Sequence, residues 1–305
     1  MLSELIPILF GYKPAVDAYR VATGAKQEVG TAFDPMFEMT CMKVTEMFAE
    51  AIPGVIIQLM AIATSDGEVA TAAWISLAVS ALTTGFASAT ISYDFDTDPA
   101  KREQVPDFYG YIPAAATTRA IVFTSMLSLS SCLLLIRSTT IVLLILVGKT
   151  WAFVYTGSEL GLYLLVKVSR GDFWWWNPTG DNMEFGSSII ARVLMKIVTD
   201  FTSIVQFRHP NEVGGLYWAF GFVLTMGSLP VAITVAESVL TEKAISLAWT
   251  VVKCFIPGSL VCFAVFFFNI ERKYWHTFWS TQRGKDLTIS CFLEGNTDEG
   301  KFGVL

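Results

Sequence analysis

Residues 244–270 read AISLAWTVVKCFIPGSLVCFAVFFFNI, and this stretch decides the fold. It holds a single charge, Lys253, in a run longer than the roughly 20 apolar residues that let a helix cross the hydrocarbon core of a bilayer. Five more runs of this kind lie upstream: Pro35 to Thr64, Ala70 to Tyr93, Pro113 to Ile136, Thr139 to Val168 and Gly215 to Val239. Turn chemistry separates several of them. The acidic turn Ser65-Asp66-Gly67-Glu68 divides the first two, and the polar stretch DFDTDPAKREQVPD, with Pro99 and Pro106, precedes the third. Arg137-Ser138 is read as the turn between the third and fourth.

Composition agrees with these runs. Hydrophobic residues make up 53% of the 305 and charged ones 16%, below the roughly 25% charge of soluble domains. The mean hydropathy is +0.53. The sequence therefore predicts an all-α, polytopic transmembrane bundle, a single domain over 1–305, with about six spans. A net charge of −6 and a pI near 5.0 speak against a nucleic-acid partner, which calls for a basic patch. Cys41, Cys132, Cys254, Cys262 and Cys291 form no C-x-x-C pair, and His209 and His276 are the only histidines. Neither a zinc site nor a disulfide framework follows from them. No cofactor or metal is expected.

Between the fourth and fifth runs lies SSIIARVLMKIVTDFTSIVQF, residues 187–207. Its Arg192, Lys196 and Asp200 recur every fourth residue, so a helix carries one charged and one apolar face. Such a helix suits the membrane surface, or else a buried place in the bundle. Phe173-Trp174-Trp175-Trp176 beside it suits an interfacial aromatic belt or a packed loop. Counted with 187–207 not crossing, Lys and Arg gather on one side, from Lys13, Arg20 and Lys26 through Lys101, Arg102, Arg119, Lys167 and Arg170 to the tail 271–305. The other side receives Arg137 and Lys243. The bias predicts that both termini, and that tail, are cytosolic. Which membrane holds the chain is open. The opening MLSELIPILF lacks the basic start and cleavage site of a signal peptide, and suggests a chain lacking earlier helices.

Function is sought where charge enters these runs, because ionisable groups at bilayer depth are costly and face a bundle interior or a wet cavity. Lys43, Glu46 and Glu50 stand at i, i+3 and i+7, on one face of a helix. Pro53-Gly54 comes next and is expected to kink or break it. The three charges form a hydrophilic track, a buried pair that fixes packing, or an interfacial stripe. Lys149 and Glu159 in the fourth run and Lys253 in the sixth add further charges, with Glu46 or Glu50 as candidate partners for the lysines. Ser76, Ser80, Thr84 and Ser88, with Ala81 and Gly85 beside them, make a small-residue face for close helix packing. Thr124, Ser125, Ser128, Ser130 and Ser131 line a path or bond to their own backbone. No phosphate loop, nucleophile elbow or zinc-peptidase pattern is present in the sequence, so an enzyme is not expected.

Glu50-Ala51-Ile52-Pro53-Gly54 followed by Gln58 resembles the XK-related family, which has a Glu, a Pro three residues on and a Gln eight residues after the Glu in an early membrane helix. Leu5-Ile6-Pro7-Ile8-Leu9 is similar to the end of that family's preceding helix. Ser76 to Tyr93 is similar to its Ser-rich helix, and Arg119 after Pro113 to the arginine that opens the next. The second Gln usual after the proline is Gly54 here, and the family's upstream helices are missing. The resemblance implies passive phospholipid scrambling, or partnership with a lipid-transfer protein, and it marks Glu50, Pro53 and Gln58. Lys43 and Glu46 join them by helix geometry, and Lys149, Glu159 and Lys253 as charges in spans. The alternatives are a solute transporter or channel built on the same charges, and a non-transporting scaffold or receptor. Expected partners are membrane phospholipids and a protein subunit.

Overall fold

In the computed structural model every one of these runs is helical; it describes residues 35–104, 106, 108–169, 184–202 and 214–272, and no strand occurs among them. Helices α1 (Pro35–Glu46) and α2 (Ile52–Thr64) are joined by a π-helical turn, Met47–Ala51. Pro53 accounts for that turn. Its ring collides with the carbonyl four residues back and it has no N–H to donate. The backbone widens just ahead of it, and the Ile52 N–H reaches the Met47 carbonyl five residues back. The expected kink or break is thus absorbed as a local widening, and the helix runs on.

Helix α3 (Thr71–Thr97) returns, and the short α4 (Pro99–Gln104) comes after it. Next are α5 (Ala116–Val147), α6 (Lys149–Ser169), α7 (Glu184–Thr202), α8 (Gly214–Ala236) and α9 (Glu242–Asn269). Five segments are long and apolar enough to cross a membrane: Met39–Thr64, Thr71–Thr97, Ala116–Val147, Tyr217–Ala236 and Glu242–Asn269. The chain is an integral membrane protein. Helix α6 has a spanning length of 21 residues, but Lys149, Glu159 and Lys167 lower its hydropathy.

One boundary differs from the sequence reading. Arg137-Ser138 is not a turn; it lies inside α5, a single helix of 32 residues, and the chain reverses at Gly148 instead. Residues 113–136 and 139–168 are therefore not two spans meeting at Arg137, and Arg137 belongs to neither membrane face. The charge does not need a turn to reach water, because partners inside the bundle satisfy it.

Helix α5 is the hub, packing against α2, α3, α6, α7, α8 and α9. Its most apolar window is 78% buried, whereas that of the peripheral α9 is 17% buried. Helix α3 approaches it most closely at Gly85, where an added Cβ would lie 2.2 Å from Ser131 Oγ and 2.7 Å from the Leu127 carbonyl. Ser131 Oγ donates to the Ala81 carbonyl at 3.0 Å, and Ser88 and Ser130 share a hydrogen bond of 3.1 Å. The Ala81–Thr84–Ser88 face is thus a packing face, as expected of small residues in membrane helices.

The two ends of the bundle are clamped differently. At one, Lys243 Nζ donates to the carbonyls of Ser65 (2.8 Å) and Gly67 (2.7 Å) and to Ser65 Oγ, tying α9 to the α2–α3 turn. At the other, the wholly buried Asp96 carboxylate accepts from the backbone N–H groups of Gly110 (2.6 Å), Tyr111 (3.1 Å) and Ile112 (3.0 Å). Gly110 holds φ 93°, a left-handed conformation that favours glycine. The Glu271 N–H then joins the Tyr111 carbonyl at 3.0 Å, fastening the end of α9 to the same loop.

Candidate functional site

Two sets of polar groups lie at membrane depth, one sealed and one open. The sealed set centres on Arg137, 3% exposed, and Glu159, 8% exposed. Each stands 11 positions from Gly148, so the α5–α6 hairpin brings them level, about 16 Å from the turn at 1.5 Å per residue. Arg137 Nη1 donates to Glu159 Oε1 at 3.3 Å and Nη2 to Oε2, a bidentate pair. Nη2 also reaches Asp200 Oδ2 of α7 at 3.3 Å, and Nη1 reaches Thr225 Oγ1 of α8 at 3.3 Å. The rings of Tyr155 and Phe201 flank the guanidinium at 5.5 and 5.4 Å. Lys196, one turn before Asp200, pairs with it and lies 5.9 Å from the Tyr163 ring and 5.7 Å from that of Tyr217. Two cations face two carboxylates, so the cluster of four is neutral. Neutrality and mutual hydrogen bonding make burial tolerable.

This cluster places α7. Lys196, Thr199 and Asp200 turn inward, 4%, 6% and, for the Asp200 side chain, 16% exposed, while Ile190 points outward at 63%. Of the charged face, Lys196 and Asp200 meet the protein and not water, so α7 occupies the buried alternative and not the interfacial one; the Arg192 side chain lies outside the described residues. Its last residue lies at depth as well: the Thr202 carbonyl accepts from Ser88 Oγ at 3.0 Å, nine positions inside the end of α3. The end of α6 meets the start of α8, with Tyr163 and Tyr217 centroids 6.1 Å apart. The end of α6 and the start of α8 therefore lie at the same end of the bundle. Beside the cluster, Leu133, Thr199, Asp200, Tyr217, Gly221 and Thr225 line a cavity of about 30 Å³. That volume admits about one water. The Thr199 hydroxyl, without a hydrogen-bond partner, is the group such a water would serve.

The open set runs along α1, α2 and α3. Lys43 Nζ pairs with Asp94 Oδ2 at 3.5 Å near the Asp96 end. Glu46 and Glu50 are exposed. Lys43 and Glu46 stand three residues apart on α1, and Glu50 follows four residues on within the π turn. Glu50, Gly54 and Gln58 succeed one another at four-residue steps. A Cβ added at Gly54 would meet nothing within 4 Å, so the surface there is unobstructed. Gln58 Nε2 donates to Ser80 Oγ (3.1 Å) and Ser76 Oγ (3.4 Å), leaving its Oε1 with no partner. From Lys43 to Gln58 the line climbs about 22 Å at 1.5 Å per residue, most of a hydrocarbon core of roughly 30 Å.

The remaining expected residues fall elsewhere. Lys149 is exposed on the first turn of α6, at the bundle end and not inside a span. Lys253 is exposed on α9. Among the described residues no ion pair links Glu46 or Glu50 to either lysine, so those proposed partnerships are not formed. Glu159 is the one expected charge that the sealed cluster uses. Arg137, Lys196 and Asp200 are not among the site residues expected from the sequence. Their signal is nonetheless legible: Leu133-Leu134-Leu135-Ile136 and Ile141-Val142-Leu143-Leu144 flank Arg137 with no Gly, Pro, Asn or Asp between them, so nothing in that stretch turns a chain. The Trp cluster 173–176, Leu5–Leu9 and the tail from 273 lie outside the described residues. Comparison with protein families, with curated proteins and with solved structures finds no match.

Proposed function

We propose that the chain carries phospholipid headgroups passively between leaflets along the open line of α1, α2 and α3, with the acyl tails left in the bilayer. The observation that carries the reading is a contrast of pairing. The line from Lys43 through Glu50 and Gly54 to Gln58 rises about 22 Å along the outside of α1 and α2 with Glu50 exposed and in no ion pair among the described residues, while the charges around Arg137 are buried and paired with one another. A headgroup crossing hydrocarbon needs charge and hydrogen-bonding groups at successive depths, since each unmet polar group costs several kcal/mol there. Glu50 supplies an exposed charge, and the Lys43–Asp94 pair a dipole at the mouth. Downhill movement needs no nucleotide site. The XK-related resemblance at Glu50, Pro53 and Gln58 supports the same reading.

The orientation proposed with it follows the charges at the two ends. Lys101, Arg102, Arg119 and Arg272 gather toward the Asp96 end, against Lys149 and Lys243 toward the other. The Asp96 end is then cytosolic. With the end of α6 and the start of α8 at the same end of the bundle, both termini fall on that side.

The test is purified protein in liposomes holding a fluorescent phospholipid and a quencher confined to the outer leaflet. Quenching past half of the signal without ATP, slowed by Glu50→Gln in protein of unchanged elution profile, is the expected result. Half-quenching only, by folded wild-type chain, would sink the reading.

A further inference from the structure

The outer face of α9 holds a charge that the lipid path does not use. Ser246, Thr250, Lys253, Cys254 and Pro257 form a polar and small-residue stripe on it; all five are exposed. The level of Lys253 is set by the clamp at Lys243, which bonds the α2–α3 turn at the bundle's end. Ten residues separate the two lysines, so Lys253 lies about 15 Å below that turn, near the middle of a hydrocarbon core of roughly 30 Å. A lysine stem spans less than half of that distance and cannot carry its ammonium to the headgroups. Lysine at the centre of a span is among the costliest residues to leave facing lipid. No described residue pairs with it.

From this we infer that α9 is the docking face for a transmembrane helix of another protein that presents a carboxylate at mid-depth. Charge complementarity selects that occupant, and the stripe of small and hydroxyl residues lets a helix approach closely. A second copy of this chain fits poorly. Its exposed mid-depth carboxylate, Glu50, lies about 22 Å below the same turn, some 7 Å lower than Lys253. Side chains lean toward the N-terminus of their helix. Helix α9 starts at the Ser65 end and α1 at the other, so Lys253 leans up, Glu50 leans down, and the offset widens.

The experiment puts a photocrosslinking amino acid in place of Thr250 in the full chain, expressed in its native membranes. The expected result is an adduct with one protein whose membrane helix carries Asp or Glu. The adduct falls at least tenfold with Lys253→Glu and returns to within twofold when the partner's carboxylate is changed to Lys. Should Lys253→Glu alter the elution profile, Lys253→Met replaces it, with Lys253→Arg expected to retain the adduct. Adducts with lipid alone, with a second copy, with a helix lacking a carboxylate, or insensitive to Lys253 would overturn the inference, as would no adduct at all.

Discussion

The cluster around Arg137 and the line through Glu50 lie in one bundle, yet they treat charge in opposite ways. Arg137, Glu159, Lys196 and Asp200 spend their charge on one another and on Thr225, beside a cavity of about 30 Å³. Glu46 and Glu50 face outward and enter no ion pair among the described residues. A closed set of charges fixes which helices meet; an open set is available to something that passes. Intramembrane charge alone does not separate architecture from transport. Whether its partners are internal does.

The contrast breaks most sharply at Arg137. Arg137→Leu leaves Glu159 without its partner and removes a bond from Asp200, at a cost of about 3–5 kcal/mol for a broken buried pair. The expected outcome is loss of the monodisperse peak in fluorescence-detected size-exclusion chromatography. Adding Glu159→Leu should recover much of that peak, because Asp200 keeps Lys196. Next in size is Gly85→Leu, which forces α3 off Ser131 and the Leu127 carbonyl. Overpacking of this kind costs about 1–3 kcal/mol and should lower the thermal midpoint without abolishing folding.

Substitutions on the open line should do the reverse. Glu50→Gln removes an exposed charge, so stability should stay within about 0.5 kcal/mol while lipid flipping in liposomes slows several-fold. Gln58→Leu should slow flipping less, since the Ser76 and Ser80 hydroxyls remain at that level. Glu46→Gln should have the smallest effect, since Glu46 lies one turn nearer the mouth than Glu50. A fall in thermal midpoint with Glu50→Gln as large as that with Arg137→Leu would erase the distinction between the two regions.

The helices are legible in the sequence because apolar runs of spanning length have few other solutions. Their ends are less so. Gly148 and Arg137-Ser138 compete as the reversal point, and a charged pair suggests a water-facing turn although the structure obeys the glycine, a poor helix former. What settles Arg137 is the arrival of Glu159, Asp200 and Thr225 from three other helices, which no local window contains. The inward turn of α7 is hidden for the same reason: a charged face looks alike whether it meets water or an arginine. The widening before Pro53 is half visible. Proline announces a disturbance, but not whether the helix bends or rewinds.

The inverted polarity of α7 bears on how the protein is made. A helix with Lys196, Thr199 and Asp200 on its polar side gains nothing from entering bare lipid, and insertion by hydropathy would leave it at the surface. Its place exists only once α5 and α6 have closed as a hairpin and offered Arg137. Biogenesis is thereby ordered. The hairpin must be in the membrane before α7 can join it, and α8, bearing Thr225 and emerging later from the ribosome, completes the cage around a segment already seated.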